Sequence, residues 1–352
     1  MSKLRFVGYV AMAGALTLAG VFLPLQSGYA AVNPLAPGDD AKARSSHAPY
    51  AGGECAICHE VAADGKKIGK SPGKLASDVN ALCAICHEDM EKALKSSRVV
   101  HAPVMAGCTS CHNPHNSPND SLLLVQGKKL CLDCHGEIQK MINESKVQHK
   151  AVVEKGACMN CHTPHASNIQ HLLKKLPFDL CVSCHSEDNK LDANGRLLSN
   201  FTKMLANNPF QHEPVKSKDC SACHLTHGSN NSNLLVAEYP ALFYSPYTPA
   251  NYALCYRCHD DQNMADPQTT TTTGFRDGSR NLHYLHVNKA DRGRTCRACH
   301  EVHASKKPHQ LREGVPFGPQ NWMLPINYTK TKTGGSCTKT CHQTKTYDNT
   351  KK

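Results

Sequence analysis

Nine stretches of this 352-residue chain read Cys-x-x-Cys-His. They are Cys55, Cys58 and His59; Cys83, Cys86 and His87; Cys108, Cys111 and His112; Cys131, Cys134 and His135; Cys158, Cys161 and His162; Cys181, Cys184 and His185; Cys220, Cys223 and His224; Cys255, Cys258 and His259; and Cys296, Cys299 and His300. A tenth copy carries one extra residue, at Cys337, Cys341 and His342, and together they use all 20 Cys. The spacing is that of covalent haem c attachment. Two sulfurs about one helical turn apart can add to the two vinyl groups of one porphyrin, and the following imidazole then meets the iron. A disulfide framework makes no demand on the residue after each second Cys. His is 22 of 352 residues, so chance would place it there roughly one time in sixteen, against ten of ten here. Zinc knuckles pair two CxxC units per ion and leave such a His surplus.

Twelve other His remain, and their placement is ordered. His47, His101, His149, His212 and His286 precede an odd-numbered motif with six to nine residues between, and His115, His165, His227 and His303 follow a motif His by three. Repetition at fixed offsets marks these nine as sixth ligands of iron. The tenth is expected from His283, His171 or His309, in that order. Met is the other common sixth ligand, but Met90, Met105 and Met141 share no offset and are expected to pack. Ligation by two His leaves no open position on the iron and lowers the potential relative to His/Met.

The elements that hold these residues are repeats. Each unit reads His, CxxCH, usually x-x-His, then a second CxxCH. Cys108 to His135 and Cys158 to His185 are both 28 residues and share Pro114/Pro164, Ser117/Ser167 and the pairs Leu122–Leu123 and Leu172–Leu173. The fourth unit keeps His227, Ser229 and Leu234–Leu235, and the fifth keeps His303, Ser305 and Leu311. In the first, Val61 and Ala62 stand where x-x-His would fall. Terminal repeats are commonly atypical. The expected organisation is a signal peptide at 1–30, a linker at 31–46, and five di-haem units at 47–95, 96–145, 146–206, 207–280 and 281–352. The fold class expected is a multihaem cytochrome c: haem-packed, mostly coil, with short α-helices, very few strands and an elongated array of units. A short helix is expected at each motif, with Val125–Cys134 and Leu172–Cys184 extending further. The loops Tyr239–Tyr252 and Ala265–Gly278 read as solvated, with docking of a partner or covering of a haem as the alternative for the Tyr-rich one.

Composition agrees with an unusual interior, since aromatics are 6% of residues and mean hydropathy is −0.46. Lys3 and Arg5, an apolar stretch from Phe6 to about Leu25, and small residues at Gly28 and Ala30 form an export signal. No Cys lies near that cut to take a lipid, and no later segment is apolar enough to span a bilayer. The formal charge is +11, or about +9 without Lys3 and Arg5. Ten haems bring about −20 in propionates, which takes the ferric holoprotein to about −1 and the reduced one toward −11. The basic excess is therefore assigned to propionates, and nucleic acid is set aside. The same sum predicts reduction coupled to uptake of protons or cations.

These units resemble the doubled-CxxCH cytochromes, and ten motifs on a chain of this size resemble the periplasmic decahaem cytochromes that sit in an outer-membrane porin, the MtrA and DmsE type. The resemblance spans about residues 47 to 342. It implies an elongated haem wire and, as partners, periplasmic or inner-membrane redox donors, a porin and an extracellular acceptor cytochrome. The chain departs from that pattern in its tenth motif, its first unit, and the longer spacers of units four and five. A low-potential electron conduit rather than an enzyme is the leading expectation. A multihaem reductase of nitrite, hydroxylamine or a sulfur oxyanion would need an open iron, for which unit one is the candidate. A filament subunit could borrow a ligand there from a neighbouring copy.

Overall fold

The computed structural model describes residues 36–60, 74–192, 195 and 197–352. The expected signal peptide, Val61 and Ala62 lie outside the described residues.

The motifs sit where a CxxCH stretch closes one helical turn. In the six motifs starting at Cys55, Cys108, Cys158, Cys220, Cys255 and Cys296 that turn is 3-10. The motifs at Cys83, Cys131 and Cys181 fall in or at the end of the α-helices Val79–Ala84, Lys128–Leu132 and Pro177–His185. The motif His amide bonds the carbonyl of its first Cys, as from His112 to Cys108 at 3.1 Å and from His300 to Cys296 at 2.9 Å. The tenth motif is different: it leaves the strand Gly334–Cys337, and its spare residue Lys339 sits at φ 38°.

Two expected helices are shorter than their pattern. Gly127, at φ 66°, stops one from starting before Lys128, and Pro177 opens the other. Helices Glu88–Ser96 and Gly136–Glu144 follow the second and fourth motifs. Glu88, Asp89 and Glu91 in the first turn of the former favour its positive N-terminal dipole.

Strands are more numerous than expected but mostly two residues long. Ser45–Ser46 pairs antiparallel with Asn116–Ser117, Val99–Val100 with Ala166–Ser167, Val147–Gln148 with Gly228–Ser229, and Phe210–Gln211 with Ala304–Ser305. Each ribbon ties the approach to one repeat onto the next repeat. Longer strands gather at the C-terminal end, in the hairpin Gly314–Phe317 with Trp322–Pro325 and in a three-stranded sheet of Tyr328–Lys330, Gly334–Cys337 and Lys345–Asp348.

An apolar protein core is nearly absent. One cluster of buried side chains, Leu235, Tyr239, Tyr252 and Val287, packs with Tyr247, Leu254, Tyr256 and Met264. This corrects the reading of Tyr239–Tyr252 as a solvated loop: Tyr252 is fully buried, and the Tyr239 hydroxyl accepts from the Arg297 amide at 2.8 Å. Tyr239, Tyr247 and Tyr252 of this loop join the protein core between the fourth and fifth repeats, while Leu242 and residues 248–250 stay exposed. Elsewhere the interior is a connected cavity of about 5510 Å³, lined by all 20 Cys and all 22 His. Ten equal shares would be about 550 Å³ each, the size of an ordinary cofactor pocket.

Candidate haem sites

The first motif of each of repeats two to five is followed by the same short clamp. A pair of residues adopts the left-handed conformation at Ser121–Leu122, His171–Leu172, Asn233–Leu234 and His309–Gln310. Such a conformation is costly for bulky residues and must be held by its surroundings. Here the carbonyl of the first of each pair accepts from Nδ1 of the motif imidazole: Ser121 from His112 at 2.9 Å, His171 from His162 at 2.8 Å, Asn233 from His224 at 2.9 Å and His309 from His300 at 2.8 Å. The next Leu closes a backbone bridge to the motif His, in His112 with Leu123, His162 with Leu173, His224 with Leu235 and His300 with Leu311. The repeated Ser hydroxyls lock the loop, Ser117 donating to Leu123 at 2.5 Å, Ser167 to Leu173 at 2.7 Å and Ser229 to Leu235 at 2.6 Å. An Nδ1 that donates to a carbonyl leaves the Nε2 lone pair free for a metal.

This clamp accounts for His171 and His309. They occupy the same turn position as Ser121 and Asn233, and it is their carbonyls that the turn uses. Neither ring belongs to the imidazole pairs described next.

Nine motif imidazoles each face one other imidazole, with ring centres 6.0–6.5 Å apart and planes within 4–27° of parallel. That is too far for ring contact, which needs about 3.5–4.0 Å between atoms. Two metal–imidazole bonds of about 2.0–2.1 Å, plus about 1.1 Å from each nitrogen to its ring centre, total about 6.2 Å. The gap therefore fits one metal ion held axially from both sides.

The pairing follows a rule. The second motif of a repeat faces the His that opens the same repeat: His87 faces His47, His135 faces His101, His185 faces His149, and His259 faces His212. The first motif faces the x-x-His of the following repeat: His59 faces His115, His112 faces His165, His162 faces His227, and His224 faces His303. His300 has no later repeat to draw on and faces His283. The expectation that unit one lacks a ligand is thereby corrected. His59 already faces an imidazole, that of His115 in the second repeat.

The ribbons hold the partner imidazoles two at a time. The His47 amide bonds the His115 carbonyl at 2.8 Å, His101 bonds His165 at 2.8 Å, His149 bonds His227 at 3.4 Å, and His212 bonds His303 at 2.9 Å. Nδ1 of His47, His101 and His149 donates to the carbonyls of Pro114, Pro164 and Thr226 at 2.9, 2.9 and 3.0 Å. His286, placed by sequence with this group, has no such ribbon. It shares the helix Leu282–Val287 with His283, donates from Nδ1 to Leu282 at 2.6 Å, and lies within electrostatic reach of His342. His283 alone directs Nδ1 at a side-chain hydroxyl, that of Thr273 at 3.2 Å. Thr273 thus joins the site, while residues 265–268 and 270–272 of the same loop are exposed, as the solvated reading expects. Burial lowers the His283 and His303 imidazoles to about 4, and likewise lowers His149, His165, His224 and His300. All are kept in the neutral form that can bind a metal.

Cysteines join the sites in a line. The thiols of Cys83 and Cys108, Cys131 and Cys158, Cys181 and Cys220, and Cys255 and Cys296 are hydrogen-bonding neighbours. Cys58 and Cys86, Cys111 and Cys134, Cys161 and Cys184, Cys223 and Cys258, and Cys299 and Cys341 lie within electrostatic reach of each other. Each motif therefore neighbours the one before and the one after. Among the described residues no three His, Cys, Asp or Glu converge as a cluster for a bare metal ion, and no helix is long and apolar enough to cross a membrane. Sequence reasoning missed the partner exchange between repeats. Its signal was the absent x-x-His in unit one together with the extra His283 in unit five.

No curated protein matches the chain. The doubled CXXCH motif family matches four segments, residues 47–92, 101–140, 149–190 and 212–264, which together make just over half of the chain. Its motif is the one that carries covalent haem c, and the imidazole pairs and the cavity fit that group. The chain belongs to the doubled CXXCH motif family and is a multihaem c-type cytochrome.

Proposed function

We propose that the chain is an exported decahaem electron conduit in which every iron is held by two His. The observation that carries this reading is the unbroken line of cysteine neighbours from Cys58 to Cys341. When bound, haem supplies a one-electron carrier at each site. The protein's own residues do the rest. The cysteines anchor each ring. The motif His and its facing imidazole would hold the iron between them and leave it no open position. The carbonyls on Nδ1 fix the tautomer and raise the imidazole's basicity, which favours a low potential. The clamps and ribbons fix the distance from one site to the next.

In this reading the tenth motif also carries haem, with His342 and His286 as its ligands, and the chain forms five di-haem units. Its partners are redox proteins at either end, and the resemblance to the MtrA and DmsE type supports an outer-membrane porin and a surface cytochrome among them. The site is periplasmic or outer-membrane, and no catalytic residue is assigned. The reductase alternative needs an open iron, and the pairing of His59 with His115 removes its leading candidate. A filament that borrows a ligand at unit one loses its motive for the same reason.

Intact mass of the mature holoprotein, with a stoichiometric reductive titration, tests the proposal. Ten haems and ten electrons per chain are expected. Eight haems, or a haem that accepts no electron, would overturn it.

A further inference from the structure

Sequence reasoning assigned the basic excess to haem propionates. That excess is unevenly spread. Residues 281–352 hold thirteen Lys and Arg against four Asp and Glu, a net +9, while residues 31–280 hold 25 of each sign and balance to zero. The segment with two motifs carries all of the excess, and the eight motifs before it share none. With ferric haems at about −1 each, the last two sites keep about +7 and the first eight about −8. The wire is therefore polar along its length.

The positive charge is also placed at an end of the line. Cys337 and Cys341 of the tenth motif neighbour Cys299 of the ninth. Lys339 lies inside the tenth motif, between its two cysteines, and Lys345 is directly across the sheet from Cys337. Lys330 and Lys332 lie on the adjoining strand and turn. All four are exposed, and none meets a carboxylate among the described residues. By contrast Lys306, Arg312 and Lys351 are spent on Glu313, Glu301 and Asp277.

We propose that this end is the docking face for an acidic redox protein that exchanges electrons with the tenth site. The inference rests on the reading of the chain as an electron conduit. Charge complementarity speeds diffusional encounter without requiring a large or long-lived interface, which suits a turnover partner. An anionic lipid surface would meet the same charge, but it takes no electrons, and the lysines bracket the attachment cysteines themselves.

The test uses full-length holoprotein and a reduced acidic plant-type ferredoxin as probe, with haem reduction followed by stopped flow. The second-order rate should fall about tenfold or more between about 10 mM and 150 mM ionic strength, as the Debye length shrinks from about 30 to about 8 Å. The triple variant Lys330→Glu, Lys339→Glu, Lys345→Glu should lose about tenfold at low salt. The control Lys42→Glu, Lys92→Glu, Lys95→Glu, in and before the first repeat, should stay within about twofold. Equal rates in both variants would overturn the proposal. So would a triple variant that fails only to sediment with phosphatidylglycerol vesicles while its ferredoxin rate is unchanged, which would assign the patch to a membrane. Calorimetric binding of oxidised ferredoxin separates the two readings. Salt-sensitive binding without haem reduction leaves the docking face standing and sinks the conduit.

Discussion

Replacing His165 by Ala should open the iron attached at Cys108 and Cys111, in the repeat before the one that contains residue 165. Proximity in sequence would instead assign His165 to the motif that ends three residues earlier, at His162. The structure sets His165 6.1 Å from His112 and gives His162 to His227. One site in ten is affected, so about a tenth of the ferric haem should turn high-spin, and added imidazole should restore it. The fold should survive. The His101 amide still reaches the residue-165 carbonyl (2.8 Å) and His101 Nδ1 the Pro164 carbonyl (2.9 Å), and the Val99–Val100 ribbon with Ala166–Ser167 is backbone only. About four hydrogen bonds at about 0.5–1.5 kcal/mol each keep the two repeats joined. Electron paramagnetic resonance reads the high-spin fraction. Removing the haem by Cys108→Ser with Cys111→Ser should abolish the new signal, and Cys158→Ser with Cys161→Ser should leave it. The reverse result, or an all-low-spin His165→Ala variant, would refute the exchange of ligands between repeats.

Thr273→Val should raise the midpoint potential of the ninth site by about 20–60 mV, since an acceptor on the His283 Nδ1–H worth about 0.5–1.5 kcal/mol is lost. Protein-film voltammetry would check it, and Thr273→Ser should restore the original value. Ser229→Ala removes one of two donors to the Leu235 carbonyl, Asn231 Nδ2 keeping the other at 3.0 Å, and takes the acceptor from the Asn231 amide; it should cost about 0.5–1.5 kcal/mol, read as a lower thermal midpoint. The equivalent change at Ser305 should cost less, because that hydroxyl donates to Lys307 rather than to the closing Leu. Cys337→Ser with Cys341→Ser should lower the holoprotein by the mass of one haem and leave the other sites low-spin.

The chemistry was legible in the sequence because covalent haem fixes residue types at fixed spacing. The motif turns, the repeated Ser and Leu, and the ordered partner His all follow from that local demand. The pairing was not legible. It depends on which repeat lies against which, and two-residue ribbons such as Ser45–Ser46 with Asn116–Ser117 are too short to leave a periodic pattern. His171 and His309 show the same limit from the other side. Their type suggests a ligand, yet the site uses only their backbone, which Ser121 and Asn233 supply as well. The loop Tyr239–Tyr252 reads as solvated from its Pro and Tyr content. Its tyrosines Tyr239, Tyr247 and Tyr252 nevertheless pack with Leu235 and Val287, a contact between distant segments that local composition does not signal.

The central claim is that each iron is closed from both sides by imidazoles, with nearly parallel planes at the nine sites where facing rings are seen. The electron paramagnetic resonance spectrum of the fully oxidised holoprotein tests it most directly. The account predicts low-spin ferric haem throughout, dominated by the rhombic signals of near-parallel imidazoles, in keeping with the 4–27° between facing rings. A high-spin signal amounting to one haem per chain, or a spectrum dominated by the highly anisotropic signals of perpendicular imidazoles, would contradict it.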